Sequence, residues 1–332
     1  MRTGRNGEAR TRGRRKGSSA RSQWVDLDGP VHFIDFGGPP NGPQLVCVHG
    51  LGGSVVNWTA VAPALTESCR VLALDLAGFG RTKSAGRPTT VHGNQELLHR
   101  FVTELLDPPV VLVGNSMGGL ISVLQVDAHP ETVAGLVLVD PALPVGLRAR
   151  PDPLVALIFA AYALPAVGRT FMSRRRAWSS VEERAMDILR LCCADMSRLP
   201  ADVAKAHLEL ARERDSYPDV DSELIIAARS LLWVLARRGQ HAAMLRRIRV
   251  PVLMLHGDKD RLVPIAAARA SANANPWWRF EVAHGVGHVP QLEAPDWTAG
   301  HILDWLATDG RAAGLGARSG LDRENGSPSA DG

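Results

Sequence analysis

The sequence predicts an α/β fold: a mostly parallel sheet with helices on both faces and a block of helices inserted before its last strands. Three observations predict it. Strand-like and helix-like patterns alternate from Val31 to Val139, as repeated strand–helix–strand units require. From about Pro141 to Arg249 the strand pattern stops and only helical periodicity remains, as in Val203–Arg212 and Leu224–Trp233. The strand pattern resumes at Val250, so the helical block is an insertion over the sheet's carboxyl edge, where open α/β sheets bind ligands. A chain of 332 residues, 45% hydrophobic, can bury one large core plus such an insertion.

Taken in order, the strand patterns deliver chemistry to one edge. Gln44-Leu45-Val46-Cys47-Val48 runs into His49-Gly50-Leu51-Gly52-Gly53, a turn whose bare backbone N–H groups can face a developing negative charge. Val110-Val111-Leu112-Val113 runs into Gly114-Asn115-Ser116-Met117-Gly118 and then the helical Leu120–Leu124. G-x-S-x-G alone is equally a glycine-rich turn with a capping serine; between a strand and a helix it reads as a nucleophile elbow, with the serine at the tip. A side chain at Gly114 or Gly118 is expected to clash with the neighbouring strand or helix, and the serine backbone is expected to be strained. Gly135–Val139 ends at Asp140, and Val250–His256 empties into Gly257-Asp258-Lys259-Asp260. Arg279–Val282 leads into His284-Gly285-Val286-Gly287-His288-Val289-Pro290, a loop able to present an imidazole. Serine, carboxylate and histidine thus follow one another in the chain order of a nucleophilic triad. His284-x-x-x-His288 also has metal-ligand spacing, but Gly285 and Gly287 contradict the helix such ligands need and no His–Glu pair accompanies them, so no metal is expected.

On these motifs, residues 24 to 307 resemble the α/β-hydrolase superfamily, and within it the serine esterases that carry a helical cap. The resemblance implies an eight-stranded sheet and divides the chain into core segments 23–140 and 250–309, a cap at 141–249, and tails at 1–22 and 310–332. Carried over by position, it makes Ser116 the nucleophile, Asp260 the orienting acid and His288 the base, with the backbone N–H groups of Leu51 and Met117 as oxyanion donors. Asp260 is preferred to Asp258 because the family's acid stands three positions after a glycine and shortly before a proline, as Gly257 and Pro264 do; Asp258 is expected to be a solvated loop carboxylate. Asp140 is the alternative acid, at a position some relatives use, and His284 is the alternative base. His49 is expected to brace the oxyanion loop, and Asp75–Thr82 looks like the family's structural D-x-x-G-x-G-x-S/T loop. The implied reaction is cofactor-free hydrolysis of a carboxylic ester or related acyl bond through an acyl-serine intermediate. Carbon–carbon bond hydrolysis is the rival, since Gly114–Gly119 matches the elbow of ring-cleavage-product hydrolases, although their Gly-Pro-Gly loop and tryptophan-rich sequence after the base are missing. A non-catalytic ligand-binding protein on the same fold is the rival of another class.

The most apolar piece of the cap, Pro153–Leu164, is too short to span a bilayer and is closed by Pro165. It is expected to pack into the cap core rather than form a lid surface facing an acyl chain or a membrane, with a small, lipophilic acyl molecule as substrate. Trp178, Trp233, Trp277 and Trp278 are expected to be packing residues, and Arg174-Arg175-Arg176 a solvated charge run. Residues 1–22 carry eight Lys or Arg and one Glu, net +7, against +4 for the whole chain, which leaves −3 for the rest. The folded body is therefore not expected to bind nucleic acid. The basic tail lacks the apolar stretch of a signal peptide and is expected to be disordered, as is 310–332. Cys47, Cys69, Cys192 and Cys193 give no disulfide framework, and with no membrane span in view the expected location is the cytoplasm.

Overall fold

The computed structural model describes residues 20–144 and 152–310. Most of both predicted tails, residues 1–19 and 311–332, lies outside the described residues. Eight strands form one sheet: β1 (Arg21–Asp26), β2 (Pro30–Gly37), β3 (Gln44–Val48), β4 (Arg70–Leu74), β5 (Val110–Asn115), β6 (Val133–Val139), β7 (Val252–Gly257) and β8 (Arg279–Ala283). Their order is β1-β2-β4-β3-β5-β6-β7-β8. The β1–β2 and β2–β4 pairs are antiparallel and all later pairs are parallel. β1 begins at Arg21, so Arg21 and Ser22 belong to the sheet and not to the predicted tail.

The helices are α1 (Ala62–Leu65), α2 (Val91–Leu105), α3 (Met117–Ala128), α4 (Pro153–Ala163), α5 (Pro165–Trp178), α6 (Val181–Cys192), α7 (Ala201–Asp215), α8 (Val220–Ala236), α9 (Arg238–Arg247), α10 (Ile265–Ala274), α11 (Pro290–Glu293) and α12 (Pro295–Trp305). The continuous apolar runs of the parallel strands are explained by burial on both faces. Val46, Leu72, Leu112, Leu138 and Met254 face a core shared with α2, α3, α9 and α10. Leu45, Val71, Val111, Val137 and Leu255, one residue out of phase, face a second core with α1 and α12. Trp58 and Trp305 are fully buried in that second layer.

Among the described residues from 141 to 249 no strand occurs, but the insertion is shorter than predicted. Met244 and Leu245 of α9 pack in the same core as Leu120 and Ile121 of α3, so α9 belongs to the sheet's own helical layer; α8 belongs to both layers, with Ala227, Leu231 and Val234 in that core and Ile225 and Ala228 against α4 and α5, so the insertion over the sheet edge runs from α4 to α8. Within the cap, Tyr162 and Met172 pack on Ile225 and Ala228 of α8, while Leu189, Val203 and Leu210 pack toward Val289 and Leu292 beside the sheet edge. Pro153–Leu164 departs from its expected packing: only Val155 and Tyr162 of α4 are buried, and Leu157 is 67% exposed. No single helix among the described residues is long and apolar enough to cross a membrane.

Asp75, just past β4, ties the antiparallel side to the edge. Its buried carboxylate accepts His32 Nδ1–H at 2.7 Å, Val55 N–H at 2.8 Å and Arg81 N–H at 2.8 Å. The loop wraps the carboxylate so closely that a Cβ at Gly80 would sit 1.9 Å from its carbon. Removing the acceptor strands two buried donors and a half-buried third. Asp75→Ala is expected to cost about 3–5 kcal/mol, read as a lower urea midpoint at unchanged slope; an unchanged midpoint contradicts this role.

Candidate active site

The elbow is built from a tight backbone approach. Ser116, between β5 and α3, has φ 55° and ψ −120°, a conformation that costs on the order of 1–3 kcal/mol and needs support from its surroundings. The support is β6: Ser116 N–H donates to Val139 O at 3.1 Å, and Ser116 O accepts from Ala142 N–H at 3.0 Å. A Cβ at Gly118 would lie 2.1 Å from Val48 O, and one at Gly114 would lie 2.5 Å from Gly118 O. Both glycines are thus demanded by contact with the neighbouring chain, as the sequence predicts.

The histidine loop reaches the same edge. His288 Nδ1–H donates to Asp260 Oδ2 at 2.7 Å, and Asp260 Oδ1 accepts from Leu262 N–H and Val263 N–H at 2.7 and 3.0 Å. Burial pushes the Asp260 pKa up, but the His288 charge and hydrogen bond outweigh it and hold the carboxyl below its ordinary value. With Nδ1 engaged, His288 keeps Nε2 for the cavity that it lines together with Ser116. No hydrogen bond joins Ser116 Oγ to His288 here; such contacts are often long without substrate and tighten when it binds.

The alternatives land elsewhere. Asp140 (φ 43°) accepts Gly257 N–H at 3.0 Å and does not touch His288. Burial, then the neighbouring Asp260 charge, push its pKa well above the carboxylate range. Asp140, His256 and Asp260 have ligand atoms within 4.8 Å of one another, the one grouping with metal-ligand chemistry among the described residues. His256 Nε2–H donates to Val263 O at 2.9 Å, so that nitrogen is not free as a ligand, and burial lowers its pKa. His284 is 83% exposed and pairs with Asp258 at 3.1 Å. Asp258 also caps Gly285 N–H at 2.8 Å, so it anchors the histidine loop and is not the solvated carboxylate expected.

His49 Nδ1–H donates to Gly50 O at 2.7 Å and Nε2 accepts from Leu76 N–H at 3.1 Å, which fixes one neutral tautomer bracing the glycine turn. Burial lowers its pKa, in keeping with that tautomer. The N–H groups of Leu51 and Met117 have no acceptor among the described residues. Met117 is the first residue of α3, where a helix leaves its N–H groups unpaired and favours negative charge.

Three positioning residues escaped the sequence reading. Asn115 Nδ2 bridges Val139 O and His288 O at 3.0 and 3.1 Å, joining the elbow, β6 and the histidine loop. Glu293, buried in α11, accepts from Gly287 N–H, Ala194 N–H and Asp195 N–H at 2.9, 3.0 and 3.0 Å, fastening the histidine loop to the cap. Arg214 of α7 donates to Gly78 O and Gly80 O, fastening the cap to the loop after β4. A lone acid in the apolar run after His288 was the available signal for Glu293. Asn115 and Arg214 gave none, because their partners are backbone carbonyls.

The cap closes the cavity with Phe159, Met172, Leu189 and Leu210, and the core adds Leu51 and Phe79. Arg174-Arg175-Arg176 is not the uniform solvated run expected: Arg175 and Arg176 line the cavity, and Arg176 pairs with Asp221 and Asp215 at 2.6 Å each. The four tryptophans do not line it; Trp278 is buried as expected, whereas Trp178, Trp233 and Trp277 are exposed. All four cysteines are free, and burial pushes their thiols up, Cys69 to about 11 and Cys193 to about 12.

A sequence model of the α/β-hydrolase fold matches residues 43–295. Human monoacylglycerol lipase ABHD6 is 24% identical over 84% of this chain and 81% of its own length. The magnesium-chelatase 30 kDa subunit of Rhodobacter capsulatus is 30% identical over 84% of this chain and 92% of its own. The solved structure of a thermophilic esterase from Thermogutta terrifontis superposes with a TM-score of 0.65 at 25% identity, over 87% of this chain and 99% of that one.

The two aspartates separate in a direct test. Asp260→Asn is expected to lower kcat by about 10³–10⁴, and Asp140→Asn, a neutral isostere, by less than about threefold; the reverse ranking assigns the acid to Asp140. The raised folded pKa of Asp140 means that the folded chain holds a proton the unfolded chain releases above about pH 4, so stability is lost as pH rises through that point. Asp140→Asn is therefore expected to match the wild type in Tm near pH 4 and to equal or exceed it at pH 7. A Tm deficit that appears only at pH 7 contradicts a raised Asp140 pKa.

Proposed function

This chain belongs to the α/β-hydrolase fold family and is an enzyme of that type, and on that premise we propose that it is a serine hydrolase of carboxylic esters with apolar acyl groups. The observation that carries the reading is the buried Asp260–His288 contact at 2.7 Å beside a serine held in a strained turn. In this reading His288 Nε2 takes the Ser116 proton as Oγ bonds to the ester carbonyl carbon. The carbonyl oxygen becomes an oxyanion facing the N–H groups of Leu51 and Met117, each of which is worth about 3 kcal/mol in such sites. Asp260 fixes the imidazole tautomer and stabilises the imidazolium. Collapse breaks the bond to the leaving oxygen, which departs as an alcohol carrying the proton from His288. A water molecule, deprotonated by the same nitrogen, attacks the acyl-serine, releases the acid and returns the proton to Ser116 Oγ.

Apolar lining by Leu51, Phe79, Phe159, Met172, Leu189 and Leu210 supports an apolar acyl group. The ester hydrolysed by the human relative named above, a monoacylglycerol, has that character. A ligand receptor needs a pocket but gains nothing from a strained serine, a buried carboxylate hydrogen-bonded to an imidazole or two unpaired amides, each of which costs stability.

p-Nitrophenyl esters test the reading. kcat/KM is expected to rise from acetate to hexanoate by up to about fourfold per CH₂, and Ser116→Ala is expected to lower kcat by about 10⁴ or more. Activity that survives in Ser116→Ala assigns the chemistry elsewhere, and a rate that falls with chain length contradicts the apolar acyl site.

A further inference from the structure

The cap carries an apolar face that the described residues leave uncovered. Residues 153–167 contain no charged side chain and one polar side chain, Tyr162, which is buried. The inward half of α4 and α5 is already satisfied by packing of Tyr162 and Met172 on Ile225 and Ala228 of α8. The outward half leaves Leu154 50%, Leu157 67%, Leu164 60% and Val167 48% exposed, and Trp178, at the end of α5, 83% exposed. Several large exposed apolar side chains on one helical elbow mark an interaction site.

We propose that the α4–α5 elbow docks this enzyme in the plane of a lipid surface carrying anionic headgroups. The two helices meet at 118° and neither crosses a bilayer: α4, with 11 residues, is about 16 Å long against about 30 Å of hydrocarbon, so an apolar face on it lies in the interface. Charge selects the lipid. No Asp or Glu occurs from Pro153 to Trp178, and exposed Arg169 and Arg174 on α5 have no carboxylate partner among the described residues, whereas Arg176 is paired twice. Unpaired guanidinium groups flanking an apolar face fit phosphate-bearing headgroups. Trp178 adds the amphipathic ring that prefers the headgroup level. The same helices present Phe159 and Met172 to the cavity on their inner side, so docking sets the Ser116 cavity against the surface from which an apolar molecule would partition.

The test is vesicle flotation of the full chain on phosphatidylcholine with and without about 30 mol% phosphatidylglycerol. The basic N-terminal segment is kept in every protein, so its own attraction cancels between variants. The Leu157→Glu/Leu164→Glu double variant is expected to lower the vesicle-bound fraction at least about tenfold on either lipid. Arg169→Ala/Arg174→Ala is expected to lower it by roughly fivefold per arginine, and only where phosphatidylglycerol is present. Trp178→Ala reads the same face from a third side chain. Thermal melts report folding of every variant, and hydrolysis of a short soluble ester, which no exposed cap residue contacts, reports the Ser116 chemistry separately. Equal binding of wild type and the leucine variant overturns the proposal and assigns vesicle binding to the basic segment. Failure of the folded wild type to float overturns it outright. A concentration-dependent dimer that dissolves in the leucine variant, without vesicle binding, shows instead that a second copy covers the face.

Discussion

The edge that carries Ser116 and His288 depends on a backbone approach that only glycine allows. Gly118 packs against Val48 O, Gly114 against Gly118 O and Gly257 against Gly287 O, each at a distance where a Cβ would fall within 2.5 Å of the facing oxygen. These contacts bring the ends of β3, β5 and β7 close enough for three separate loops to address one point. Side chains at these positions would push the strand ends apart, and the unpaired amides, the serine and the histidine loop would lose register together. Interiors this tightly packed do not deform continuously, which is why the strain at Ser116 can be held at all.

On that frame, polar groups are sorted by charge. Two adjacent buried carboxyls cannot both ionise cheaply, and here the contact with His288 holds the Asp260 pKa down while burial and the Asp260 charge push that of Asp140 up. Buried donors are then consumed in the same economical way: Asp75 holds the early loops, Glu293 the histidine loop, and Asn115 the elbow. The cap is fastened at both ends by such bonds, through Arg214 to the loop after β4 and through Glu293 to the turn after α6. Its inner wall is thereby fixed over Ser116, while its outer apolar face is left exposed by the described residues.

The fold was largely legible because parallel strands buried on both faces read as unbroken apolar runs and because glycine marks close approach. The elbow, the glycine turn before Leu51 and the acid-bearing turn after β7 are local patterns, so residues and geometry agree there. What could not be read depends on partners far along the chain. β1 is a polar edge strand whose Arg21 and Ser22 resemble the basic segment before them. α9 looks like any cap helix until its packing on α3 is seen. The exposure of α4 was misjudged because an all-apolar helix has no amphipathic period to say which half faces solvent. Asp258 and Arg176 read as solvated charges, since nothing local reveals His284, Gly285, Asp215 or Asp221 as their partners.

The central claim is that Ser116 is an activated nucleophile, and covalent capture tests it most directly. Purified wild-type chain would be treated with a fluorophosphonate and the adduct located by mass spectrometry. The account predicts one phosphonylated residue, Ser116, with labelling slowed in His288→Ala. A folded chain that stays unlabelled at Ser116, or is labelled at another serine, contradicts it.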